Sequence, residues 1–203
     1  MTVNAEELEL KERLNLIETM IAEGRRTTES WGWVFVLWGI AYYVAIAWSA
    51  WGNHSARAWN ITMGAAMILT WTVVAWRIGG KQQRQPATTL GRAVTAVWIA
   101  VGVSIMVLIP SLVMGGRSSS NLIVAIIGTM LGTANVASSI ILKWKMQLGC
   151  ALIWWAAAII SCLGTTRQSF YSLLIANFFC QIVFGIYGMI GEARLRRKVA
   201  THA

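Results

Sequence analysis

The sequence predicts an all-α membrane protein, a polytopic bundle of six transmembrane helices preceded by an amphipathic helix at the cytoplasmic surface. Three observations carry this. The 203-residue chain is 57% hydrophobic and 12% charged, far from the balance of a soluble domain, where about a quarter of residues are charged. Its apolar residues fall into six stretches near the roughly 20 residues that cross about 30 Å of hydrocarbon. Seven of its eight acidic residues precede residue 30, which divides the chain into an acidic helix over 1–30, a membrane domain over 31–193 and a basic tail over 194–203.

In the first segment Leu10, Leu14, Ile17 and Ile21 recur at the alternating four- and three-residue steps of a coiled-coil seam. Asn4 with Glu7 fits part of a capping box and Gly24 is the expected stop, so one helix should run from Asn4 to about Glu23. Residues 1–29 carry seven glutamates against Lys11, Arg13, Arg25 and Arg26, whereas helices lying on anionic lipid are usually rich in Lys and Arg. Lipid alone would hold this helix poorly. Its seam is expected to dock on the protein's own basic face, to associate with itself in a homo-oligomer, or to take a cytosolic protein partner.

The six spans are expected at 31–51, 57–77, 92–114, 121–142, 146–164 and 169–191. Net charge is +9, and the placement of the bases reads as orientation rather than nucleic-acid binding. Lys11, Arg13, Arg25, Arg26, Arg77, Lys81, Arg84, Arg92, Lys143, Lys145, Arg194, Arg196, Arg197 and Lys198 fall on one side, against Arg57, Arg117 and Arg167 on the other. By the positive-inside rule both termini are cytoplasmic, in the plasma membrane. The acidic start and the length of the first span argue for a retained helix rather than a cleaved signal. Pro110 is expected to shape the outer end of the third span.

The spans pair into hairpins with a weak internal repeat. Gly32, Gly91 and Gly149 each open the first helix of a pair, and Trp38, Trp98 and Trp155 follow six or seven residues later. A true repeat would set three hairpins around a pseudo-threefold axis along the membrane normal. That arrangement resembles, in architecture only, the small six-helix urea/amide and acetate channels. None of their motifs, such as an Asn-Pro-Ala-Pro opening, occurs here.

Two helical faces carry polar and small residues. Gly128, Gly132, Asn135 and Ser139 align on the fourth span, and Asn177, Gln181, Gly185 and Gly188 on the sixth. Amides in hydrocarbon need partners, so both faces must turn inward. They either pack helices together or line a passage for a small neutral solute. Trp38, Trp71, Trp98 and Trp155 lie at similar depths from one surface and could form an aromatic layer.

Reactive groups are scarce. There is no Asp in the chain and no Glu or His within any span; His54 and His202 lie outside them. Haem ligation, metal binding and nucleophilic catalysis lack the groups they need, and proton-coupled transport lacks its usual carboxylate. Cys150, Cys162 and Cys180 show no metal-ligand spacing and read as small buried residues. The expectation is a non-enzymatic protein without cofactor or metal, contacting lipid and other proteins as a scaffold or regulatory component. A facilitative channel or carrier is the alternative.

Overall fold

A computed structural model describes residues 2–51, 55–79, 89–117 and 119–200. His54, Lys81, Arg84 and His202 lie outside these residues, as do the side chains of Glu6, Arg77, Arg196 and Lys198. The described chain is all-helical: α1 (Thr2–Ser30), α2 (Gly32–Trp51), α3 (Ser55–Gly79), α4 (Thr89–Met114), α5 (Ser120–Leu142), α6 (Lys145–Leu163) and α7 (Thr166–Asn177). A π-turn over Phe178–Val183 joins α7 to α8 (Phe184–Ala200). Six helical segments are long and apolar enough to cross a membrane. The last combines α7, the π-turn and the first part of α8.

Local signals set several boundaries. Ser119 caps α5 by accepting from the Leu122 N–H, and Thr165 and Gln168 form a reciprocal capping box at the start of α7. The α5–α6 corner is sharp because Lys143 adopts a left-handed conformation, φ 48°, which ends the helix and directs Trp144 inward. One expected stop is not a stop: α1 continues through Gly24 to Ser30. α4 runs one turn past Pro110 and ends at Met114, where the third span was expected to end. Pro removes only one backbone donor, and in hydrocarbon the continuing helix still satisfies the rest.

The core lies among α5, α6 and the α7–π–α8 segment. Trp154 is 1% exposed and packs with Val124, Ile127, Cys150, Leu173, Cys180 and Phe184. α2 joins this core through its contact with the π-turn and α8, and Phe35 stacks edge-on against both Trp98 and Phe184. The other two spans are peripheral. Among the described residues α3 packs extensively only on α2, and α4 on α5 and the end of α1. The three hairpins are therefore packed unequally: α5 lies along α6, with no comparable contact between α3 and α4.

Candidate functional site

The two faces singled out by spacing are both buried. On α5, Gly128 lies against the Trp154 carbonyl, where an added methyl would sit 2.8 Å from the oxygen, and Gly132 lies directly under the Trp155 indole. Asn135 is 3% exposed, and its Nδ2 donates to the Leu131 carbonyl of its own helix at 2.8 Å. Ser139 is buried beside it, while the neighbouring Ser138 accepts from Trp98 Nε1 at 3.1 Å, joining α4 to α5.

On the last span, Asn177 donates across to the Gly39 carbonyl of α2 at 3.1 Å. The Tyr43 hydroxyl returns a bond from α2 to the Leu174 carbonyl at 2.8 Å. Gln181 is 6% exposed and its Cβ would stand 3.0 Å from a methyl added at Gly39. One turn on, Gly32 and Gly185 bring two backbones together; a methyl on either would lie within 2.7 Å of the other's carbonyl oxygen. α6 and α7 are tied by a bond from Ser169 Oγ to Ser161 Oγ at 2.9 Å.

The π-turn explains how this face stays continuous. Leu173, Asn177, Gln181 and Gly185 form one buried file, and Ala176, Cys180, Phe184 and Gly188 another. Steps of four drift by about 40° each on an ideal α-helix. The wider π-turn removes much of that drift, holding both files against α2 and α6.

The four expected tryptophans do not share one environment. Trp38 is half-buried, Trp98 packs on the core, Trp155 covers Gly132, and Trp71 faces outward at 64% exposure, its Nε1 on Met67 Sδ. α3 is apolar around most of its circumference, so periodicity could not say which face it buries. The repeat glycines also diverge. Gly32 packs closely on the backbone of Gly185 and Gly91 is buried, whereas Gly149 has no neighbour within 4 Å of an added methyl.

The N-terminal seam requires a correction. Leu10, Leu14 and Ile17 are not docked on the bundle but exposed, and cover begins at Met20 and Ile21. What anchors α1 is its last two turns. Gly24 packs against Leu142, Leu90 and Gly91, and Arg25 donates to the carbonyls of Leu142 and Lys143. The contact with α5 is made by Arg25 rather than by the helix's acidic residues, because a helix C-terminus presents carbonyl oxygens and attracts a cation. Nearer α8, the Glu29 carboxyl lies against Gly191. Burial pushes its pKa up, opposed by Arg25 and Arg26 and assisted by Glu192.

Several groups escaped the spacing argument. Gln147, in the first turn of α6, is 0% exposed, and neither of its amide atoms has a hydrogen-bond partner among the described residues. Cys180 Sγ lies 3.5 Å from the Cys150 carbonyl, while Cys162 is exposed rather than buried. The amide of Gln147 was visible as a polar residue in an apolar helix; the cysteine proximity had no linear signal. No metal-binding group of His, Cys, Asp and Glu exists among the described residues.

Fold and site together define an all-helical multi-pass membrane protein with a close-packed polar interior. Compared with known families, curated proteins and solved structures, the chain matches none.

Proposed function

We propose that this chain is a non-enzymatic scaffold or regulatory component of the plasma membrane, working through contacts with lipid, other proteins and further copies of itself. The observation that carries the reading is the close packing of the two polar faces a passage would need. Gly128 and Gly132 are filled by Trp154 and Trp155, and Gly185 by Gly32. Asn135 and Asn177 spend donors on backbone carbonyls. Small residues permitting close approach, with amides bonding locally, are how membrane helices lock together. The absence of Asp from the sequence, and of Glu and His from its spans, further supports a non-catalytic role.

The orientation with both termini cytoplasmic rests on the bases. Arg25 and Arg26 of α1, Arg92 in the first turn of α4 and Lys143 and Lys145 at the α5–α6 corner belong to elements that meet at one end of the bundle. The acidic amphipathic helix is then a cytoplasmic surface element. The pseudo-threefold repeat is not needed for this reading, and only the glycine and tryptophan spacing speaks for it.

Facilitated passage of a small neutral solute is the second reading. Gln147 favours it, since a buried amide bonded to nothing else among the described residues is suited to water or another small hydrogen-bonding molecule.

Thiol labelling tests the choice. In a Cys162→Ser background, Asn135→Cys, Asn177→Cys and Gln181→Cys should resist a membrane-impermeant thiol reagent while Arg117→Cys reacts. Modification of all three interior positions would indicate a wet path and reverse the preference.

A further inference from the structure

Residues 7–19 of α1 are exposed on every side. Within them Leu10, Leu14 and Ile17 leave 60%, 53% and 50% of their surface uncovered. In a heptad frame Leu10 and Ile17 occupy d positions, Leu14 and Ile21 a positions. Arg13 then falls at g and Glu18 at the following e; one heptad earlier, Glu6 falls at g and Lys11 at e. In a parallel coiled coil, g of one helix meets e of the next heptad on its partner. Both pairings are opposite in sign, and symmetry repeats each.

We infer that this segment of α1 pairs with the same segment of a second copy in a parallel, in-register coiled coil. Self-complementarity of the flanking charges selects a second copy over an unrelated protein. The lipid surface is a poorer occupant, because residues 7–19 carry four glutamates against Lys11 and Arg13, and Leu8 and Leu16 point away from the seam. Arg13 bonds Glu9 of its own helix at 2.6 Å on the exposed surface. A guanidinium has donors enough to take a partner's Glu18 as well.

The inference rests on the scaffold reading by naming one of its partners, and its test is separable from that reading. The full-length chain carrying Cys162→Ser is reconstituted in phosphatidylethanolamine/phosphatidylglycerol vesicles with one added cysteine, then oxidised with copper phenanthroline. Leu10→Cys and Ile17→Cys should both form disulfide-linked dimers, and Glu12→Cys, on the opposite face, should not. Adding Arg13→Glu to Ile17→Cys should lower the cross-linked fraction about tenfold, since two symmetric pairs become repulsive. Further addition of Glu18→Arg should restore it, which loss of the Arg13–Glu9 pair cannot explain.

Equal cross-linking at Glu12→Cys would indicate random collision and overturn the inference. So would self-linking at only one of Leu10→Cys and Ile17→Cys, the mark of an antiparallel crossing. Seam cysteines protected from maleimide in a chain that never cross-links would assign the seam to lipid or a different protein, again against it. Solute flux through the vesicles would remove the scaffold reading and leave the cross-links standing.

Discussion

Arg25 donates its Nε–H to the Leu142 carbonyl at 2.8 Å across 117 positions of sequence, and a second N–H to the Lys143 carbonyl. One guanidinium thereby caps the C-terminus of α5 and fixes the end of α1 to the bundle. Arg25→Ala should cost about 1–2 kcal/mol, toward the lower range for charged hydrogen bonds because the site is partly exposed. Arg25→Lys should recover only part, since a single ammonium cannot reproduce the planar fork. Hydrogen exchange would show protection lost over residues 20–30 while the α5–α6 core stays protected.

The backbone contact between Gly32 and Gly185 sets a contrast within one substitution type. Gly185→Ala places a methyl 2.7 Å from the Gly32 carbonyl oxygen and should destabilise the fold by about 1–3 kcal/mol. Gly64→Ala, on α3, meets no atom within 4 Å and should be neutral or stabilising by up to about 1 kcal/mol. Thermal unfolding in one detergent compares them. Equal losses would mean that α2 and α8 do not meet at these glycines.

The two buried asparagines should differ. Asn177 bonds across to α2, whereas Asn135 bonds within α5. Asn177→Leu should therefore cost about 1–2 kcal/mol and loosen α2, and Asn135→Leu less, about 0.6 kcal/mol. Reversible unfolding of the two variants supplies the comparison.

Glu29 gives a pH dependence of definite sign. Its folded pKa is raised above 4.5, chiefly by burial. The protonated carboxyl is thus favoured by folding, a stabilisation fully present below the unfolded value and lost as pH rises through the folded one. Glu29→Gln should raise the unfolding temperature at pH 7 and leave it nearly unchanged at pH 4. An equal rise at both would show that ionisation is not the cause.

Much of the architecture was legible because crossing hydrocarbon needs length and apolarity, both linear properties. The expected spans 121–142 and 146–164 meet α5 (Ser120–Leu142) and α6 (Lys145–Leu163) within a residue at every end. The polar faces were legible as faces because Asn135 and Gln181 stand out in apolar helices. Their partners were not, since nothing linear joins Asn177 to Gly39 or Gly132 to Trp155. The π-turn was hidden in Phe178–Val183 because its widening depends on packing against α2 and α6. Gly24 was misread as a stop because a glycine suits both a helix end and a close approach. The seam of Leu10, Leu14 and Ile17 was visible, but a single chain's periodicity does not tell whether a seam docks at home or waits for a second copy.

The central proposal, an interior built for contact rather than passage, is tested most directly by stopped-flow swelling of protein-containing liposomes in urea, acetamide and glycerol. The account predicts rates indistinguishable from protein-free liposomes, for wild type and Gln181→Leu alike. Rapid, saturable swelling with the wild type that Gln181→Leu abolishes while folding is intact would contradict it and make the chain a solute channel.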